Sequence, residues 1–403
     1  AGVLLHITSL PNGVLDEEAE RFIDWLAEAG QTWWQILPLG PPDAFGSPYA
    51  GGSAFATWSG LLPADDHPVD ADEIAAFRAR TADWIDDWER VRGAAAVVDQ
   101  VRFDRRWRAV REYARARGVR ILGDLPLYVA SDGVDRHVHP EYFRTDAVAG
   151  VPPDYFSDDG QLWGNPLYDW DRLRRDGFSW WTQRIHRALE LHDAVRLDHF
   201  RGLESHWAVP ADATTARDGR WIPTPGYELL EAVQRRLGRD IPILAEDLGI
   251  ITDEVDALRH HFRLPGMMVL QFEMDDHPVQ DGRLWHETDR AVYPGTHDNA
   301  TVEEWWNTRD EHVRWHVRES ARRCGIDADA SPHRTMVELA HHAPADIAIC
   351  PAQDILGLDA SARMNTPGTT EGNWRWRMAH GALTADHARW IRDLTAATGR
   401  TTS

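Results

Sequence analysis

Four carboxylates in this chain stand where apolar segments run out. Ile121-Leu122-Gly123 leads to Asp124, Val195-Arg196-Leu197 to Asp198, Leu244-Ala245 to Glu246, and Gly295-Thr296-His297 to Asp298. Carboxylates facing one cavity repel each other and lose hydration, so such a cluster is costly unless the site uses it. Two uses fit. A metal site wants further carboxylate or histidine ligands and often a glycine-rich phosphate loop, and the chain has no such loop. Glycoside chemistry wants a nucleophilic carboxylate and a second carboxyl whose pKa its neighbours raise. It also wants a cation that keeps the nucleophile ionised. Arg196 lies two residues before Asp198, so strand alternation turns both to one face. His297 directly precedes Asp298 and can hydrogen-bond a sugar hydroxyl. Glycoside chemistry is favoured.

These residues need a frame that gathers strand ends. Eight short apolar segments supply it: Val3–His6, Trp34–Leu39, Arg120–Ala130, Ala194–Phe200, Ile243–Leu248, Met267–Phe272, Ala291–Thr296 and Ile347–Ile355. Amphipathic helical patterns separate most of them. Glu18–Gly30 places Ala19, Phe22, Ile23, Leu26 and Ala29 on one face, Gly226–Leu237 repeats the pattern, and Thr252 caps a helix to His261. The expected fold is an α/β (β/α)₈ TIM barrel, with insertions around the mouth where the strands' carboxyl ends meet. Residues 1–403 read as one catalytic barrel with two connections too long for simple βα loops. About 50–105 carries an acidic amphipathic helical stretch (Ile74, Phe77, Trp84, Ile85, Trp88, Val91). About 131–180 is rich in Pro, Gly, Asp and aromatics and reads as an ordered excursion over the mouth.

Composition narrows the partners. The net charge of -22 argues against nucleic acid, whose phosphates want clustered cations. No apolar run approaches the ~18 residues needed to span a bilayer. The opening Ala1–His6 lacks a basic leader and reads as a strand. Cys324 and Cys350 give no disulfide framework, so a reducing, cytoplasmic setting is expected. All 43 basic residues are Arg, through either codon bias or salt adaptation. Twenty Trp raise the prospect of flat platforms for sugar rings. Asp275-Asp276-His277 looks like a metal-ligand group but has no fourth partner nearby, so no metal is expected.

The ordered blocks resemble amylomaltases, the 4-α-glucanotransferases of glycoside hydrolase family 77 in the α-amylase clan. The resemblance is carried by Arg196-Leu197-Asp198-His199-Phe200-Arg201-Gly202, Ala245-Glu246-Asp247-Leu248-Gly249 and Thr296-His297-Asp298-Asn299. It extends over most of the chain through Ser47-Pro48-Tyr49, Gly150–Ser157, Gln161–Pro166, Ala362–Asn365 and Gly372-Asn373-Trp374. It implies that Asp198 is the nucleophile, Glu246 the general acid/base and Asp298 the third carboxylate, which distorts the sugar. It further implies that Arg196 and His297 hold that sugar, that Asp124 binds its far edge, and that Tyr49, Asp154, Tyr155, Gln161, Trp163, Asn165 and Asn365 line a glucan groove. His6 and His199 read as core or supporting residues. The implied reaction is retaining transfer between α-1,4-glucans and maltooligosaccharides, with no redox or nucleotide cofactor. Departures fall outside the acid triplet. The stretch between Tyr49 and Asp124 is shorter than the family pattern, and Gly46, Ala50, Ala300 and Asp132–His137 differ from it. An α-amylase-like hydrolase and a non-catalytic glucan-binding barrel remain the rivals.

Overall fold

The computed structural model describes residues 1–64, 67–153, 158–276 and 288–400. Within them run β1 (Gly2–Leu4), β2 (Trp33–Gln35), β3 (Arg120–Leu125), β4 (Phe143–Val151), β5 (Gln161–Tyr168) and β6 (Ala194–Leu197). They are followed by β7 (Ser205–Pro210), β8 (Arg220–Pro223), β9 (Ile243–Ala245), β10 (Gly266–Val269), β11 (Arg290–Tyr293) and β12 (Ile347–Pro351). One sheet has eight strands in the order β10-β11-β12-β1-β2-β3-β6-β9, the order of a (β/α)₈ barrel. All eight segments read as strands hold one, but most end sooner than their apolar runs. Leu270–Asp276 and Ala352–Ile355 are helical, because an apolar run alone does not separate strand from buried helix.

Two compact units are formed, with the dividing line inside β3. The first comprises Ala1–Leu37, Trp107–Leu122 and Pro265–Ser403. Here β1 lies parallel between β12 and β2, Gly2 facing Ile349 on one side and Trp33 on the other. Helix Glu17–Glu28 starts where the Asp16 side chain accepts from the backbone N–H of Glu18, with three glutamates in the first turn to suit the helix dipole. It buries Phe22, Ile23 and Leu26 as its periodicity requires.

The second unit comprises Pro38–Arg106 and Gly123–Leu264. It holds the parallel pair β6–β9 and a four-stranded antiparallel sheet in the order β5-β4-β7-β8. The stretch read as one acidic amphipathic run is three helices, Ala71–Arg80, Ile85–Arg92 and Ala94–Arg115, the last crossing the dividing line. Phe77, Trp84, Ile85 and Trp88 are buried there, whereas Val91, in the last turn of Ile85–Arg92 just before Gly93, is exposed. Thr252 takes the N-cap position of helix Asp253–His261, but its hydroxyl makes no cap bond.

Two packing details set the end of β3. A Cβ on Gly123 would lie 2.3 Å from the His192 ring, so only glycine lets that ring close over the strand. Beyond it, the buried Arg184 donates to the carbonyls of Pro126, Leu127 and Tyr128 at 2.5, 2.9 and 3.2 Å. No helix among the described residues is long and apolar enough to cross a membrane.

Candidate active site

The second unit gathers four of the charged residues singled out from the sequence. Strands β6 and β9 are paired in register, Arg196 with Leu244 and Leu197 with Ala245. Asp198 and Glu246 therefore leave adjacent strands one step past the last pair, and Glu246 N–H still bonds the Leu197 carbonyl at 3.0 Å. Neighbouring strands lie about 4.8 Å apart, so the two carboxylates start side by side.

Arg196 bridges the carboxylates around it. Its Nη2 donates to Asp198 Oδ1 at 2.7 Å and its Nη1 to Asp124 Oδ2 at 2.5 Å. The Tyr49 hydroxyl donates to the same Asp124 oxygen at 2.6 Å. The Asp124 side chain is wholly closed to solvent, and its Oδ1 has no hydrogen-bond partner among the described residues. Asp198 is different: its side chain keeps 26% exposure and is reachable by a ligand. Burial pushes Asp124 up to about 7, against the pull of Arg196 and with the Asp198 charge adding to the rise. Burial likewise opposes the Arg196 charge, yet Asp124 and Asp198 hold that guanidinium firmly protonated.

Glu246 is the poised group. Burial pushes its carboxyl up to about 8; Arg196 opposes the rise and Asp198 reinforces it. Two backbone N–H groups grip it, His199 to Oε2 at 2.6 Å and Leu248 to Oε1 at 3.1 Å. His199 presents its N–H from a left-handed conformation, φ 52°, uncommon for a non-glycine residue. Its own ring lies 4.9 Å from that of Trp163, and burial pushes its pKa down to about 4.

The groove residues divide. Trp163 is 39% exposed, its indole N–H donates to Gln161 at 3.1 Å, and its ring meets those of His199 and Tyr128 edge-to-face. Asn165 is turned inward, its amide donating to the Val129 carbonyl at 2.9 Å. Asp154 and Tyr155 lie outside the described residues.

The first unit holds the remaining group by itself. Asp298 Oδ1 accepts from the Asn365 amide at 2.6 Å, and Oδ2 lies 3.3 Å from His297 Nε2. Asn365 N–H bonds the His297 carbonyl at 3.1 Å, and Arg363 donates to the carbonyls of Asp298 and Asn365 at 3.2 and 2.9 Å. A cleft of about 420 Å³ is lined there by His6, His297, Asn299 and Arg363. His6 is core, as read: it accepts from Leu37 N–H at 3.2 Å, and burial pushes its pKa to about 3. Asp275 is engaged by Trp305 and Arg309, each at 3.2 Å, while His277 lies outside the described residues.

A family model described as 4-alpha-glucanotransferase matches residues 5–91 and 72–384. A 4-alpha-glucanotransferase of Thermus thermophilus is 38% identical, over 99% of this chain and 98% of that one. The chloroplastic/amyloplastic enzyme DPE1 of Arabidopsis thaliana is 37% identical over 99% of this chain and 85% of its own.

The chain belongs to the 4-alpha-glucanotransferases.

Among solved structures, an amylomaltase from Streptococcus agalactiae in complex with acarbose superposes with a TM-score of 0.92 at 29% identity, covering 100% and 99% of the two chains. An α-amylase from Geobacillus thermoleovorans, at 11% identity and a TM-score of 0.56, shares the fold alone. Sequence reasoning about this 4-alpha-glucanotransferase missed the backbone N–H of His199, a contact that side-chain type does not signal. It also passed over Arg363, although that arginine stands two residues before Asn365 in a quoted block.

Proposed function

We propose that this 4-alpha-glucanotransferase moves α-1,4-glucan segments to the 4-hydroxyl of glucose or a maltooligosaccharide by double displacement at Asp198 and Glu246. One observation carries the reading: adjacent strands present one carboxylate pinned by a guanidinium and a second whose pKa is pushed to about 8. Asp198 attacks the anomeric carbon while protonated Glu246 delivers its proton to the departing 4-oxygen. The anionic Glu246 then takes a proton from the acceptor hydroxyl, which displaces Asp198 and restores the α bond. Retention requires the two carboxyls to stand roughly 5–5.5 Å apart, and carboxylates leaving neighbouring strands about 4.8 Å apart start from positions that allow it.

In this reading Asp298, with His297 and Asn365, binds and distorts the sugar at the cleavage position. Arg196 holds the same sugar and keeps Asp198 ionised, Asp124 binds its far edge, and Tyr49 lines the groove beside them. Trp163 offers a stacking face, with Gln161, Asn165, Asp154 and Tyr155 along the groove. We take 50–105 and 131–180 as insertions into one catalytic barrel. Two unpaired cysteines, Cys350 buried, support a cytoplasmic setting.

Chromatography of products from pure maltotriose tests the whole scheme. Transfer gives glucose plus a ladder of longer oligomers at almost constant reducing ends. Steadily climbing reducing ends with only maltose and glucose would make the enzyme a hydrolase.

A further inference from the structure

A second recess in the same unit has no part in the chemistry above. It is lined by residues of helices Ile85–Arg92, Val134–Val138 and Ser179–Leu191 and of the loops beside them. Its walls are aromatic. The rings of Phe55 and Trp84 stack 6.3 Å apart, and Trp180 meets Phe55 edge-on at 5.8 Å. Its polar groups are mostly acceptors: Asp83, Asp87 and Asp135 line it, with His139 bonded to Asp87 at 2.9 Å. Asp83 and Ser179 are exposed, so the space opens to solvent at that rim.

One group there is unsatisfied. Trp180 is 3% exposed, and its indole N–H has no partner among the described residues. A buried donor left in that state is costly, and a ligand atom that accepts from it relieves the cost. This selects among occupants. An ammonium would suit the aromatic faces and the aspartates but cannot accept from Trp180. A phosphate or carboxylate can accept, but it meets three aspartates and no arginine in the lining. A hydroxyl both accepts and donates, and the C–H face of a sugar ring packs on indole.

We propose that this cavity is a second carbohydrate site, holding one neutral glucosyl unit of a maltooligosaccharide apart from the cluster around Asp198. The proposal rests on the glucan reading above and adds a place where sugar binds without reacting. The wall between the two places is thin. Ser53 and Phe55 line this cavity and also the cleft of about 580 Å³ that contains Tyr49 and Asp124. The Ala54 N–H between them donates to Asp135 at 2.8 Å, which fixes the wall. A sugar against Phe55 and Asp135 therefore bears on the segment behind Tyr49.

Crystals of the full-length Glu246→Gln enzyme soaked in maltose test the proposal. A glucosyl ring is expected in the cavity, one hydroxyl accepting from Trp180 and another donating to Asp87. In solution, the Asp87→Asn, His139→Gln double variant should weaken one of two maltose sites at least tenfold, and glucose 1-phosphate should not compete there. Maltose beside Asp198 with only water in the cavity overturns the proposal, as does a double variant that binds at both sites like its parent. Maltose in the cavity but never beside Asp198 supports it while counting against the glucan chemistry.

Discussion

The backbone N–H of His199 reaches Glu246 Oε2 at 2.6 Å from a left-handed turn, φ 52°, just past Asp198. A non-glycine residue kept there costs on the order of 1–3 kcal/mol, so the surrounding fold over-determines it. The strain has a use. It ties Glu246 to the backbone that carries Asp198.

His199→Gly should keep this geometry without strain and retain turnover within about an order of magnitude. His199→Val should not, because a β-branched residue resists positive φ. The N–H would leave Glu246, turnover would fall, and the ionised carboxylate would lose a stabilising bond. The alkaline limb of the kcat/KM profile, near pH 8 in the parent by the Glu246 pKa, should then move upward. Identical pH profiles for the two variants would remove His199 from the mechanism.

Glu246→Gln should lower turnover on maltotriose by about 10²–10⁴-fold, the usual worth of general acid–base catalysis. Glucosyl fluoride should recover part of the first step, since fluoride departs unprotonated. Stability should move the other way. An ordinary glutamate titrates near 4.5 and folded Glu246 near 8, so between those values the folded state binds more protons. Stability therefore falls as pH rises through that window, and the glutamine variant escapes the loss. Melting temperatures of the two proteins should diverge in the variant's favour from pH 5 to pH 8; parallel curves would contradict the raised pKa.

Arg196 answers to two carboxylates, so its loss is felt twice. Arg196→Ala leaves Asp124 buried without its cation and should destabilise the fold by about 3–5 kcal/mol in urea titrations. Adding Asp124→Asn should return much of that stability and none of the activity, because Asp198 stays unsupported. Arg196→Lys keeps the charge but cannot span both partners as a planar fork. If it turned over like the parent, charge alone would suffice and the bridge would be incidental.

The charge of -22 without a single lysine leads to a salt prediction. The melting temperature should rise from about 0.1 to 2 M NaCl as the screening length drops from ~10 Å to a few ångströms. A flat response would leave codon bias as the account of the composition.

The eight barrel strands were legible because strands buried on both faces write themselves as unbroken apolar runs. Their ends were not: Leu270 and Ala352 stay apolar after the chain has turned helical. Strands β4 and β5 fall inside the stretch of about 131–180 that reads as an excursion, and β7 and β8 are not signalled at all. Register shifts within β4 and a proline at position 166 of β5 break the alternation that marks a strand. In the site, Arg196 and Asp198 could be paired from spacing alone. Tyr49 and Asp124 lie 75 positions apart, and no local pattern joins them.

Arg184 carries a consequence for how the protein is assembled. The carbonyls of Pro126, Leu127 and Tyr128 are bonded by a guanidinium 56 to 58 positions downstream. During synthesis the end of β3 emerges long before helix Ser179–Leu191 exists to bring that cation in. The turn beyond Asp124 is thus completed by a late arrival. A chain halted before Arg184 can form β3 but not the clamp beyond it, so catalytic competence follows the docking of one helix.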